Sequence, residues 1–127
     1  MDADCPFCDL PPDRILMRDD VGVAFLDSYP VTEGHTLVVP LRHVASVFDL
    51  SGSELQALFG LVSEVRTRLA ALYRVEHFNI GINDGASAGQ TINHAHVHVI
   101  PRRPGDVPDP RGGVRWVMPT KARYWTD

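Results

Sequence analysis

The chain has 127 residues, 44% of them hydrophobic and 22% charged, with a formal net charge of -4. That length suits one domain, and the composition is that of a chain able to bury a single core without disulfides. No apolar run is long enough to cross a bilayer, and residues 1–4 are acidic where a secretion signal would be basic. No lysine-rich or arginine-rich face offers itself to nucleic acid. The expectation is a cytoplasmic protein with no membrane or nucleic-acid partner, holding any phosphate through local groups.

Both cysteines fall in Cys5-Pro6-Phe7-Cys8. In a reducing compartment a two-residue gap reads as half a zinc site or as a redox pair. A redox pair normally opens a helix after a strand, and nothing ahead of Cys5 reads as that strand. A zinc knuckle closed by two distant histidines is the better reading, and it would tie the N-terminus to the body. Leu10-Pro11-Pro12 breaks any helix, and residues 14–17 and 23–26 read as two short strands joined through Asp19-Asp20-Val21-Gly22. Asp27 follows as either a turn former or a carboxylate placed for a sugar diol, and spacing alone does not choose. After a loop punctuated by Pro30 and Gly34, residues 35–40 form a third, apolar strand stopped by Pro40. His35 opens that strand beside Gly34, which permits close backbone approach. His43 lies just past it and gains interest only because a zinc held by two cysteines needs two nitrogen ligands.

From Ser51 to Tyr73 the period becomes helical. Leu55, Leu58, Phe59, Val62, Val65, Leu69 and Leu72 form one apolar stripe, and Ser51 with Glu54 is a capping-box signature. Glu64, Arg66 and Arg68 fall on the solvated side. Residues 77–82 alternate as a fourth strand, with His77 pointing outward. Asn83-Asp84-Gly85 then opens a loop whose small residues, through Gly89, let backbone N–H groups approach an anion. Asn83, Gln90 and Thr91 add side-chain donors. The loop leads into His94-Ala95-His96-Val97-His98-Val99-Ile100. In an extended strand the three histidines stand in a row on one face while Ala95, Val97 and Val99 line the other. The row spans roughly 13 Å at ~3.3 Å per residue, so one metal ion reaches two neighbouring imidazoles at most. The rest point to hydrogen bonding, nucleophilic attack or proton transfer. Beyond Pro101 the chain is rich in Pro and Gly, and Trp116 and Trp125 suggest an ordered tail lying on the body or on a second subunit.

The segment 94–100 resembles the His-x-His-x-His signature of the histidine triad (HIT) family of nucleotide hydrolases and transferases. Phe25-Leu26-Asp27 with Pro30, residues 34–40, and Asn83 through Thr91 are similar to the family's other blocks, so the resemblance covers residues 5–103. It implies an α+β fold with a five-stranded antiparallel sheet, one long helix and a short helix, paired into a homodimer. The domain would span 1–103 with the knuckle at its start, leaving 104–127 as the tail. The resemblance also implies a purine nucleotide pocket and assigns His96 as the nucleophile that attacks an α-phosphate, with His98 and His35 as catalytic neighbours. Asp27 would hold the ribose, Asn83, Gly89, Gln90 and Thr91 the phosphate, and Phe25 and Leu26 would complete the substrate contacts. It assigns a structural zinc to Cys5, Cys8, His43 and His94, a closed set with no position for a catalytic water. Independently of the family, imidazole is largely neutral at pH 7 with a pKa of ~6.5, and a covalent intermediate splits one hard displacement into two easier ones. The expected activity is hydrolysis of purine nucleoside phosphoramidates, nucleotidyl conjugates or dinucleoside polyphosphates. Two rivals are a nucleotide-binding signalling module with incidental turnover and a catalytic zinc held by His94, His96 and His98.

Overall fold

The computed structural model describes residues 5–127; the acidic residues 1–4 lie outside them. The elements are β1 (Ile15–Arg18), β2 (Gly22–Leu26), β3 (Thr36–Pro40), α1 (Gly52–Tyr73), β4 (His77–Ile82) and β5 (Val97–Arg102), with short 3₁₀ turns before, between and after them. The strands form one antiparallel sheet in the order β1-β2-β3-β5-β4. This is the expected α+β architecture of five antiparallel strands with one long helix. Short helices are present as single 3₁₀ turns, such as Val47–Asp49 and Ala86–Ala88.

Two apolar layers cover the centre of the sheet. On one face Leu58, Leu61, Val62, Val65 and Leu69 of α1 pack with Ala24, Val38, Ala95, Val97 and Val99. On the other, Val23, Phe25, Leu37 and Val39 form a second cluster with Phe7, Leu10 and Ile15 against it. Alternation therefore sends every odd residue from 95 to 99 toward the helix, as the pattern required. The helix begins with the expected capping box: Ser51 accepts from the Glu54 amide while Glu54 accepts from the Ser51 amide.

The stripe on α1 is narrower than expected. Phe59 is 42% exposed and Leu72 56% exposed, whereas Leu61, outside the expected set, is buried. At ~100° per residue Phe59 sits off the face that Leu58, Val62 and Val65 define, and Leu72 falls in the last turn, after the final buried leucine at Leu69. The histidine strand also starts later than expected, at Val97 rather than His94. β3 and β5 pair Thr36 with Val99 and Val38 with Val97, so the same register would bring Ala95 opposite Pro40, which has no N–H to offer. The β4 ladder ends at the same point, with Ile82 opposite Val97. Freed from both neighbours, the Ala95 amide donates to the Val44 carbonyl at 2.7 Å instead.

Gly34 fixes the entry to β3. Its φ is +90°, and an added Cβ would lie 2.9 Å from the Tyr73 ring at the end of α1. A Gly34→Ala substitution should cost about 1–2 kcal/mol for the left-handed backbone alone, and more if Tyr73 must move. Denaturant midpoints of the two proteins measure the loss.

Candidate active site

His96, His98 and His35 share the face of the sheet turned away from α1, since their neighbours Ala95, Val97, Val99 and Thr36 lie at the opposite phase of each strand. The ring centroids of His96 and His98 are 5.2 Å apart, and those of His98 and His35 5.1 Å. His35 and His96 are buried. Hydrogen bonds to the backbone fix where each proton sits. The His94 carbonyl, 2.9 Å from His96 Nδ1, can only accept, so Nδ1 carries the proton and Nε2 keeps its lone pair. The Val31 amide donates to His35 Nδ1 at 3.1 Å, which puts the His35 proton on Nε2. From there it is donated to His98 Nδ1 at 2.9 Å, and His98 in turn holds its own proton on Nε2. A nitrogen able to attack thus stands beside a nitrogen able to donate.

Both members of the relay are held neutral. Burial lowers the pKa of His35, with Asp27 pulling the other way. Burial, then the nearby His96 and His35, push His98 down to about 4. Asp27 itself does two things: Oδ1 accepts from the Tyr29 amide at 2.8 Å, the turn-forming role, while Oδ2 lies 3.5 Å from His35 Nε2.

The loop from 83 to 91 is shaped by Gly85 and Gly89, at φ of +98° and +96°, around the 3₁₀ turn Ala86–Ala88. The amide of Asn83 faces it, 3.9 Å from where a Cβ on Gly89 would be. Thr91 is exposed and lines a small recess with Ala45 and Ser46. Gln90 departs from expectation. Its Nε2 donates to the carbonyls of Ala45 and Ile92, and its Oε1 accepts from the Gly85 amide. With both N–H bonds spent on the backbone, this side chain braces the loop and has no donor left for a phosphate. Phe25 is buried in the second apolar cluster with its ring 5.3 Å from that of Phe7, while Leu26 at the end of β2 is 43% exposed.

A second cluster lies behind the histidine row. The sulfurs of Cys5 and Cys8 and a nitrogen from each of His43 and His94 all lie within 4.8 Å of one another. Cys5 Sγ is 3.3 Å from His94 Nδ1, Cys8 Sγ is 3.1 Å from His43 Nδ1, and the two Nδ1 atoms are 3.1 Å apart. His94 Nε2 donates to the Pro40 carbonyl at 2.8 Å, so Nδ1 presents a lone pair to the centre. Two thiols and two imidazoles converging at these separations fit the tetrahedral donor set of a metal ion.

A cavity of about 1040 Å³ opens at His35 and His98 and runs past Asn83 toward Arg103 and Trp116. The tail, expected to lie on the body or on a second subunit, walls this space through Val114, Trp116 and Val117, residues that a segment without a period does not single out.

The relay also sets a pH dependence. On acidification the unfolded chain protonates its histidine near ~6.5, before the folded state protonates His98 near 4. Stability should therefore fall as pH drops from 6.5 toward 4, and His98→Gln should flatten that slope in denaturant titrations at each pH.

Residues 11–105 match the HIT domain family. The bis(5'-nucleosyl)-tetraphosphatase (asymmetrical) of Schizosaccharomyces pombe is 41% identical over 93 residues, 73% of this chain and 51% of that protein. The structure of a HIT family protein from Bacillus anthracis superposes with a TM-score of 0.74 at 34% identity, covering 82% of this chain and 77% of that one. NitFhit of C. elegans gives 0.75 at 38% identity, over 79% of this chain and 24% of that one. The chain thus spans about half of the yeast protein and about a quarter of the nematode one. With the triad, its loop and three-quarters of the sequence matched, the chain belongs to the HIT domain family.

Proposed function

We propose that the protein is a nucleotide hydrolase that cleaves at the α-phosphate of purine nucleoside phosphoramidates, nucleotidyl conjugates or dinucleoside polyphosphates. The observation that carries this reading is the bond from His96 Nδ1 to the His94 carbonyl, which leaves the lone pair on Nε2 beside the N–H of His98. His96 Nε2 attacks the α-phosphorus; a P–N bond forms, and the bond to the bridging atom breaks with its electron pair leaving on the departing group. His98, kept neutral and oriented by His35, donates a hydrogen bond to oxygen gaining charge. Water then cleaves the P–N bond, releasing the nucleoside monophosphate and restoring His96. We assign Asp27 to the ribose, Asn83, Gly89 and Thr91 to the phosphate, and Phe25 and Leu26 to the nucleoside. The name of the yeast relative supports the dinucleoside polyphosphates among these substrates.

We assign zinc to Cys5, Cys8, His43 and His94, on the preference of that ion for mixed thiolate and imidazole sets. When bound it would supply a cross-link between the N-terminal knuckle and the start of the histidine segment. A catalytic zinc on His94, His96 and His98 is disfavoured, because His94 Nδ1 turns to the cysteines and His98 Nδ1 accepts from His35. We take 1–103 as the domain and 104–127 as its tail. A homodimer is supported by the outer position of β4, whose free edge needs cover, and by exposed Ile80, Phe59 and Leu72. Among the described residues no helix is long and apolar enough to cross a membrane.

Quenching a reaction with labelled nucleotidyl substrate in base should trap label on the protein, and His96→Ala should trap none while losing at least ~10³-fold in kcat. Equal labelling of the variant refutes the covalent step. Tight binding with negligible turnover across a substrate panel would instead support a signalling module. Chelation should remove fold and activity together; activity lost with the fold intact would point to a catalytic metal.

A further inference from the structure

His43, Val44 and Ala45 follow β3 outside any helix or strand, and each serves a different part of the site. His43 Nδ1 lies 3.1 Å from Cys8 Sγ and 3.1 Å from His94 Nδ1, inside the metal cluster. The Val44 carbonyl accepts from the Ala95 amide at 2.7 Å, between His94 and His96, and the Val44 side chain is part of the core under the helix. The Ala45 carbonyl accepts from Gln90 Nε2 at 2.8 Å, at the end of the glycine loop. Successive residues therefore hold the cysteine cluster, the histidine segment and the loop assigned to phosphate.

The link at Gln90 uses both polar atoms of its side chain. Nε2 divides its N–H bonds between the carbonyls of Ala45 and Ile92, at 2.8 and 3.0 Å. Oε1 accepts from the Gly85 amide at 2.8 Å, and the Gln90 amide donates to the Gly85 carbonyl at 3.1 Å. The loop from Gly85 to Gln90 is thus closed into a ring, and one primary amide fastens that ring across to Ala45. The two loops face each other over the recess that Ala45, Ser46, Gly85 and Thr91 line. A backbone held at both ends has little freedom left to lose when an anion arrives, so its N–H groups bind more tightly than those of a loose loop.

We propose that Gln90 is a positioning residue that fastens the phosphate loop to the loop carrying His43, so that a nucleoside monophosphate in the pocket and a zinc ion on the cysteine cluster each strengthen the hold on the other. The inference rests on the hydrolase reading and on the zinc assignment above. Its physical content is linkage between two sites. An anion on residues 83–91 restrains Gly85 and Gln90, Gln90 restrains Ala45, and His43 in the same loop has less freedom to leave the cluster. By reciprocity a filled cluster fixes Ala45 as the anchor of the phosphate loop. The proton arrangement of His96 and His98 is set by the His94 carbonyl and by His35, which Gln90 does not touch, so the effect falls on binding and not on the chemical step.

The test follows transfer of zinc from the loaded full-length protein to a metallochromic chelator, with and without saturating adenosine monophosphate. The nucleotide should slow the transfer about fivefold. Gln90→Leu, which removes both donors and the acceptor, should weaken nucleotide binding about tenfold in calorimetry and raise KM for diadenosine tetraphosphate to match, with kcat within about threefold. In this variant saturating nucleotide should change zinc transfer by less than about twofold. Gln90→Glu keeps the acceptor for Gly85 but turns a carboxylate oxygen toward two carbonyls; it should lose the coupling as well, and it serves if the leucine variant does not fold. Nucleotide that binds the unmodified protein yet leaves zinc transfer unchanged overturns the proposal while the hydrolase reading survives. Full slowing in either variant also overturns it, since the coupling would then run through His94, and so does a loss confined to kcat. An unmodified protein that binds no nucleotide overturns the hydrolase reading together with it.

Discussion

Three imidazoles in this protein, those of His94, His96 and His35, take their orientation from a backbone group that cannot change its own protonation. The Pro40 carbonyl fixes His94, the His94 carbonyl fixes His96, and the Val31 amide fixes His35, which passes its proton position on to His98. These bonds decide which nitrogens hold lone pairs, and the remaining chemistry follows from that. They also join two regions that serve different ends. His94 turns its ring to the cysteines and its carbonyl to His96, so the cluster of Cys5, Cys8 and His43 adjoins the residue whose carbonyl anchors His96.

The sheet makes this possible by stopping where it does. Within a ladder a carbonyl is normally claimed by the neighbouring strand. At His94 both neighbours have run out, one at Pro40 and the other at Ile82, and the carbonyl is left for a side chain. Further along, the same strand is fully paired, which holds His98 opposite Leu37 and Gly81. The boundary between regular and irregular backbone falls between the two histidines, and it gives them opposite proton arrangements.

Much of this was legible in the sequence, for identifiable reasons. Alternation at 95, 97 and 99, the Ser51–Glu54 cap and the apolar run 36–40 are local patterns, and local patterns translate into elements. The two cysteines called for two distant histidines by the demands of a tetrahedral donor set, and the family resemblance named His43 and His94. What stayed hidden depends on contacts between distant parts of the chain. The bond from Gln90 to the Ala45 carbonyl reverses the role that its position in a phosphate-type loop suggested. The turn at Asp27 and its approach to His35 coexist, a result spacing could not decide. The edges of the helix stripe were misjudged because periodicity reports a phase and not how wide a face the sheet will cover.

Gly34 ties the helix to the site. The ring of Tyr73, at the last position of α1, sits against this glycine, and the next residue is His35, whose carbonyl accepts from the Asp27 amide. The end of the longest helix and the first link of the relay are therefore adjoining residues of one packed contact. The aperiodic C-terminal residues meet the relay only across open space, as the opposite wall of the cavity that begins at His35 and His98.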